Sequence, residues 1–355
     1  MSEKIRVLVV DDSAIVREVL SRLIGGAPDM ELAGTAPDPF IARDKILRTN
    51  PDVLTLDIEM PRLDGLSFLE RLMHYRPLPV VVVSSVTTKD STAVVRALEL
   101  GAFDVVNKPG DSTSVGEVGE QILEKIRAAY RYRDQFIGKW RLLKEKGARS
   151  GPPAHHLSVV ETTEKLVVLG ASTGGTVALE EVLSRLPRGM PPVVVVQHMP
   201  PVFTAQFARR LDELCTLRVK EAEDGERLEK GTVYIAPGGY HLVLERRGEF
   251  LYVRLTRDEK VNFQRPSVDV LFESAAEVAG KNTLGVLLTG MGKDGAEGLL
   301  RIKEAGGHTI AQDEASSIVW GMPRVAVEMG AAKEVLPLDR IAERMVKVVS
   351  SEGGG

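Results

Sequence analysis

The segment Gly170-Ala171-Ser172-Thr173-Gly174-Gly175 follows a short apolar run, LVVLG, and places one hydroxyl between glycines. The Gly170-x-Ser172-x-Gly174 spacing is that of a nucleophile elbow, where small neighbours allow a sharp strand-to-helix turn and leave the hydroxyl exposed. Such a turn also suits a phosphate at a helix N-terminus, but the loop lacks the lysine of a P-loop. A serine nucleophile needs a general base, usually histidine. Of the six histidines, only His198 closes a buried-type strand, in VVVVQHMP, at the rim expected for Ser172. His74 lies in the N-terminal half, and His155 and His156 in a Gly/Pro-marked stretch. His308 precedes its strand, and His241 follows a glycine pair. An acid must then orient the imidazole and stabilise its charged form. Asp294, in the loop after GVLLTG, and Asp313, ending TIAQD, are both candidates, and position alone does not separate them.

A second set of chemical groups lies in the first third of the chain. Asp11-Asp12 ends the first strand-like run, Asp57 the third, Ser84-Ser85 the fourth and Asn107-Lys108-Pro109 the fifth. In an open parallel sheet these ends share one rim. Clustered carboxylate oxygens suit octahedral Mg²⁺, which offsets their mutual repulsion. A carboxylate beside such a cation and a lysine can accept a phosphoryl group.

The elements that must position these groups follow from the apolar pattern. Residues 1–126 read as five strand–helix units (IRVLVV, VLTLD, VVVVS and DVVNK among the strands), hence a flavodoxin-like, five-stranded parallel sheet. Residues 127–162 form a linker, basic and helical at first, then broken by GARSGPPAHH. Residues 163–350 are expected to form a second, doubly wound α/β domain. Its mostly parallel sheet is built from LVVLG, VVVVQ and GVLLTG, and GTVYIAPGGYHLVLE with EFLYVRLT forms an antiparallel edge hairpin. The closing SSEGGG reads as disordered.

Composition narrows the function classes. With 355 residues there is room for two cores, and a net charge of −4 offers nucleic acid no general attraction. No apolar run is long enough to span a bilayer, and MSEKIRVLVVDDS carries no leader pattern. The single cysteine, Cys215, excludes an internal disulfide, fits a reducing cytoplasm and reads as a packing residue.

Lys4 to about Ile126, with the stretch LDIEMPRLDG, resembles the receiver domain of bacterial response regulators. That resemblance implies that Asp57 is the phosphoacceptor, that Asp11, Asp12 and Asp57 hold Mg²⁺, and that Ser84 and Lys108 contact the phosphoryl oxygens. Many receivers carry an aromatic switch residue three positions before the lysine; here it is Val105. The blocks LGASTGG, QHMP, RPSVDVLFESAA, LLTGMGKDGAEG and SIVWGMP resemble the catalytic domain of the chemotaxis methylesterase (CheB) family, over roughly Lys165 to Val348. The resemblance implies Ser172 as nucleophile, His198 as base, Asp294 as orienting acid and the Met291 backbone amide in the oxyanion hole, with no cofactor in that site. It further implies a cytoplasmic enzyme that demethylates glutamate methyl esters, and deamidates glutamines, on methyl-accepting chemoreceptors, with a histidine kinase as phosphoryl donor. A receiver tethered to a hydrolase leads to the expectation that the unmodified receiver blocks the esterase rim and phosphorylation opens it. Two rival classes are a DNA-binding response regulator, for which the second half lacks a basic helix-turn-helix unit, and an idle scaffold, against which the intact triad argues.

Overall fold

A computed structural model describes residues 4–60, 64–85, 91–109, 115–147 and 165–350. The chain divides into two compact units, Met1–Ser150 and Gly151–Gly355. In the first, strands β1 (Ile5–Val10), β2 (Met30–Ala36), β3 (Val53–Leu56), β4 (Val80–Ser84) and β5 (Asp104–Asn107) alternate with helices α1 (Ala14–Gly26), α2 (Pro39–Thr49), α3 (Gly65–Tyr75), α4 (Ser91–Glu99) and α5 (Val115–Arg131). The order β2-β1-β3-β4-β5 is parallel throughout and reverses direction between β1 and β3. Val53–Leu56 and Val80–Ser84 are buried at every position, as strands covered on both faces must be. Side-chain caps start the helices locally: Ser13 accepts from the Val16 amide, and Asp38 from those of Phe40 and Ile41.

Helix α6 (Arg133–Gly147) follows α5 almost without a break. The sequence places these residues in a linker, but the helix is part of the first unit. Phe136 meets Phe103 edge-on, buried Trp140 lies over Gly101, and Arg133 pairs with Asp52 at 2.8 Å. The aromatic spacing is helical, so burying those rings binds what the basic residues alone suggest is a solvated tether. The Gly/Pro-rich remainder of the expected linker, with His155 and His156, and the closing SSEGGG lie outside the described residues.

The second unit contains β6 (Leu166–Ala171), α7 (Gly175–Leu183), β7 (Val193–Gln197), α8 (Phe203–Leu214), β8 (Arg218–Glu221), β9 (Thr232–Ile235), β10 (His241–Arg247), β11 (Phe250–Thr256), α9 (Val268–Ala279), β12 (Thr283–Leu287), α10 (Ala296–Glu304), β13 (His308–Gln312), α11 (Met322–Glu328), β14 (Glu334–Leu336) and α12 (Leu338–Ser350). Seven strands in the order β14-β13-β12-β6-β7-β9-β8 form a parallel sheet. The antiparallel hairpin is present as β10–β11, but it forms its own two-stranded sheet, and β9 joins the large sheet in parallel. The hairpin's inner face, with Leu242, Leu244 and Val253, packs into the core beside Phe272 and Ala275 of α9. Chain order reverses between β6 and β12, which creates a crevice at the carboxyl ends of β6, β7 and β12. Among the described residues no helix is long and apolar enough to cross a membrane.

Candidate active site

Three chain-distant residues emerge at that crevice. Ser172 follows β6, His198 follows β7, and Asp294 lies between β12 and α10. The turn after β6 is tight: the Gly175 amide donates to the Ser172 carbonyl at 2.7 Å, and Gly174 has φ +77°. A side chain at 174 would be strained and would strike Ile318. Gly290 is needed for a different reason. A β-carbon there would sit 2.8 Å from Cβ of Ser172, so the backbone leading to Met291 passes directly against the serine. The Met291 amide donates to no group among the described residues.

His198 and Asp294 form a buried pair, Nε2 to Oδ2 at 2.7 Å. An ionised carboxylate only accepts, so Nε2 carries the proton. In the neutral ring Nδ1 then keeps its lone pair, and it is buried with no hydrogen-bond partner among the described residues. The Ser172 hydroxyl likewise makes no hydrogen bond to a described residue, and Ser172 is 3% exposed. Gln197 ties the two together. Its Nε2 donates to the carbonyls of both Ser172 (2.9 Å) and His198 (3.1 Å).

Asp294 is held from five directions. Ser267 Oγ (2.7 Å), Asn262 Nδ2 (3.0 Å) and the Asp269 amide (3.3 Å) donate to Oδ1, while His198 and the Val268 amide (2.7 Å) donate to Oδ2. Ser267 also caps α9, so the carboxylate lies at that helix's N-terminus, where the dipole favours an anion. Burial alone would raise the Asp294 carboxyl. The hydrogen bond from His198, joined by its positive charge whenever the ring is protonated, and donors from Ser267 and Val268 hold it well below the usual carboxylate range. Asp313, left open by position, is engaged elsewhere: its Oδ1 accepts from the Ser316 amide and hydroxyl in its own turn. His241 is also fully used, donating to the Glu259 carbonyl and accepting from the Ser267 amide. His308 starts β13, at the opposite rim, against Glu334. Burial pushes the Cys215 thiol up to about 12, with Glu180 and Asp212 adding to it, as suits a packing residue.

Asp269 is the unexpected neighbour. Its Oδ1 accepts from the Gly298 amide at 2.7 Å, and its Oδ2 from Asn262 Nδ2 at 2.8 Å. Burial pushes its carboxyl up to about 7, against the Gly298 amide and with the Asp294 charge adding to the rise. Asn262, Ser267, Asp269 and Gln197 carry no role in the sequence reading. The only signal for the last three is their place in the blocks RPSVDVLFESAA and QHMP.

The first unit's rim gathers Asp11, Asp12 and Asp57, each with an oxygen within 4.8 Å of the others'. Lys108 Nζ lies 2.7 Å from Asp57 Oδ2 and 3.1 Å from Asp11 Oδ2. Burial alone would lower the Lys108 ammonium, but the hydrogen bond and charge of Asp57, helped by Asp11, raise it above its ordinary value. Burial raises the Asp11 carboxyl; Lys108 opposes the rise and Asp57 adds to it. One lysine facing three carboxylates leaves a deficit of positive charge, and an all-oxygen donor set fits a hard divalent cation. Ser84 Oγ donates to Glu59 at 2.8 Å, and Val105 is buried in β5.

The family model described as CheB methylesterase matches residues 167–345, and that of the response regulator receiver domain matches 7–118. The chain is 53% identical over 354 residues to a protein-glutamate methylesterase/protein-glutamine glutaminase of Bordetella parapertussis, covering 99% of each. It is 52% identical over 354 residues to the protein of the same name from Chromohalobacter salexigens, covering 99% of this chain and 98% of that one. The crystal structure of the Thermotoga maritima CheB methylesterase catalytic domain matches at 45% identity with a TM-score of 0.52, covering 53% of this chain and 100% of that one. These matches run through both units in order, and the chain belongs to the CheB family of protein-glutamate methylesterases, a receiver domain followed by a methylesterase domain.

Proposed function

We propose that this chain is a phosphorylation-activated serine hydrolase that removes methyl groups from glutamate esters, and deamidates glutamines, on the cytoplasmic helices of methyl-accepting chemoreceptors, giving sensory adaptation. The observation that carries the reading is the buried His198–Asp294 pair at 2.7 Å, whose free Nδ1 shares a strand-end crevice with Ser172. In this mechanism Asp294 fixes the imidazole through Nε2–H, and Nδ1 takes the Ser172 proton as the hydroxyl attacks the ester carbonyl. The Met291 amide, whose hydrogen has no acceptor among the described residues, donates to the developing oxyanion. The proton on Nδ1 passes to the leaving methoxide, and methanol departs. Water, deprotonated by the same nitrogen, then cleaves the acyl-enzyme and restores the glutamate carboxylate and the Ser172 hydroxyl. A glutamine amide follows the same course with ammonia as leaving group.

Control belongs to the first unit. Asp57 accepts a phosphoryl group from a histidine kinase, with Ser84 and Lys108 contacting its oxygens. Asp11, Asp12 and Asp57 would hold Mg²⁺, which when bound neutralises charge on the phosphoryl group. The substrate and donor place the enzyme in the cytoplasm. The test is methanol release from methylated receptor membranes by the full-length protein, with and without a small phosphoryl donor. Activity should rise with the donor, lose that rise in Asp57→Asn and vanish in Ser172→Ala. Methanol release by Ser172→Ala at the wild-type rate would overturn the catalytic assignment.

A further inference from the structure

Residues 261–264 make a two-residue hairpin turn beside the catalytic acid. Val261 and Gln264 exchange both backbone hydrogen bonds, at 3.2 and 2.9 Å, and the residues between them, Asn262 and Phe263, have φ of +51° and +63°. Positive φ at both central positions is the type I′ signature, which favours Asn followed by Gly. Asn262 fits that preference. Phe263 does not, because a β-carbon in the left-handed region is strained. The strain is not offset by burial, for Phe263 is 82% exposed.

The turn is braced rather than loose. The two amide hydrogens of Asn262 go to Asp294 and Asp269. With Asp294 ionised, nitrogen is the end of the amide that must face it, so the orientation is fixed. On either side of the turn, the His241 ring clamps the Glu259 carbonyl and the Ser267 amide, and Arg265 donates to the carbonyls of Arg257 and Asp258. An exposed aromatic ring is thus held on a strained, rigid turn, one residue from the group that grips the catalytic carboxylate. Strain of this kind that packing within the chain does not explain points to a contact made outside it.

We propose that Phe263 is a substrate-specificity residue: its ring packs on apolar side chains lying one helical turn from the target glutamate on the substrate helix, while Asn262 holds the turn in register with Asp294. This rests on the methylesterase reading. Side chains three and four apart share a helix face, so an exposed ring on a turn that contacts the catalytic acid can grip a helical substrate without touching the ester. Such a contact contributes to binding before and during reaction alike, so its loss raises KM and spares kcat.

The experiment follows initial rates of methanol release from methylated receptor membranes, across a range of receptor concentrations, for full-length wild type, Phe263→Ala, Phe263→Gly and Phe263→Leu. Phe263→Ala and Phe263→Gly should each raise KM about tenfold, the size of one lost aromatic anchor, with kcat within about twofold. Phe263→Leu should recover most of the affinity, and Phe263→Gly should melt higher than wild type because glycine relieves the turn. Unchanged KM in the Ala and Gly variants of an active wild type overturns the inference alone. So does a fall in kcat at constant KM, which would make the turn a positioning device only. A wild type that releases no methanol overturns the methylesterase reading and this inference with it.

Discussion

Two buried acids, Asp11 in the first unit and Asp294 in the second, are 1% and 2% exposed, yet their surroundings drive them in opposite directions. Asp294 has five donors, two of them backbone amides at a helix start, and stays ionised. Asp11 has the Ser13 amide and a share of one lysine, and sits beside a second carboxylate, so burial raises it. The difference separates a permanent charge from an exchangeable one. A saturated carboxylate is a fixed part of a catalytic frame. On the function proposed above, the undersupplied cluster would take up a cation and a phosphoryl group.

The comparison can be broken first at the saturated acid. Ser172→Ala should abolish methanol release, and Asp294→Asn should lower kcat about 10⁴-fold by permitting the wrong imidazole tautomer. A small loss in Asp294→Asn would mean the five donors are structural only. Next comes Asp269, whose carboxyl rises from the ordinary 3.8 to about 7 on folding. The folded protein then keeps a proton that the unfolded chain has lost, so stability falls as pH rises from roughly 4 to 7, by on the order of a few kcal/mol. Urea unfolding followed by Trp320 fluorescence, in a Trp140→Phe background, should show this slope, and Asp269→Asn should flatten it. Asp294 contributes in the opposite sense: its carboxyl is depressed, so its stabilisation is lost as pH falls below the ordinary carboxylate range.

The smallest effect is expected at the undersupplied acid. Asp11→Asn, without Mg²⁺ at pH 8, should raise the melting temperature of the first unit by about 4 °C, the shift that ~1 kcal/mol produces in a domain of this size. A raised carboxyl loses its stabilising share as pH climbs, so the gain should shrink at pH 5. Added Mg²⁺ should stabilise the wild type more than the variant. A variant that melts lower than wild type would show that Asp11 is already satisfied.

Much of this contrast is legible in the sequence. Both sheets advertise themselves as short β-branched runs, and a parallel sheet sends every run's chemistry to one rim; this alone brings Ser172 to His198 and Asp11 to Asp57. Asp294 and Asp313 stay tied on that logic because both follow strands at the same rim. Only the coordinates show Asp313 spent on Ser316. Asn262 is invisible to periodicity because it lies in an irregular segment between a hairpin and a helix. Its importance comes from a left-handed turn and two carboxylates brought in from α9 and the loop after β12. Helix α6 is misjudged for a related reason: its basic residues suggest solvent, while Phe136 and Trp140 supply the packing.

Nitrogen-15 NMR of the His198 ring in the full-length protein tests the catalytic frame most directly. A neutral ring with its proton on Nε2, a downfield proton signal lost in Asp294→Asn, and an unprotonated Nδ1 is the expected result. A resting ring protonated on Nδ1, with Nε2 bare and the spectrum unmoved by Asp294→Asn, would contradict it.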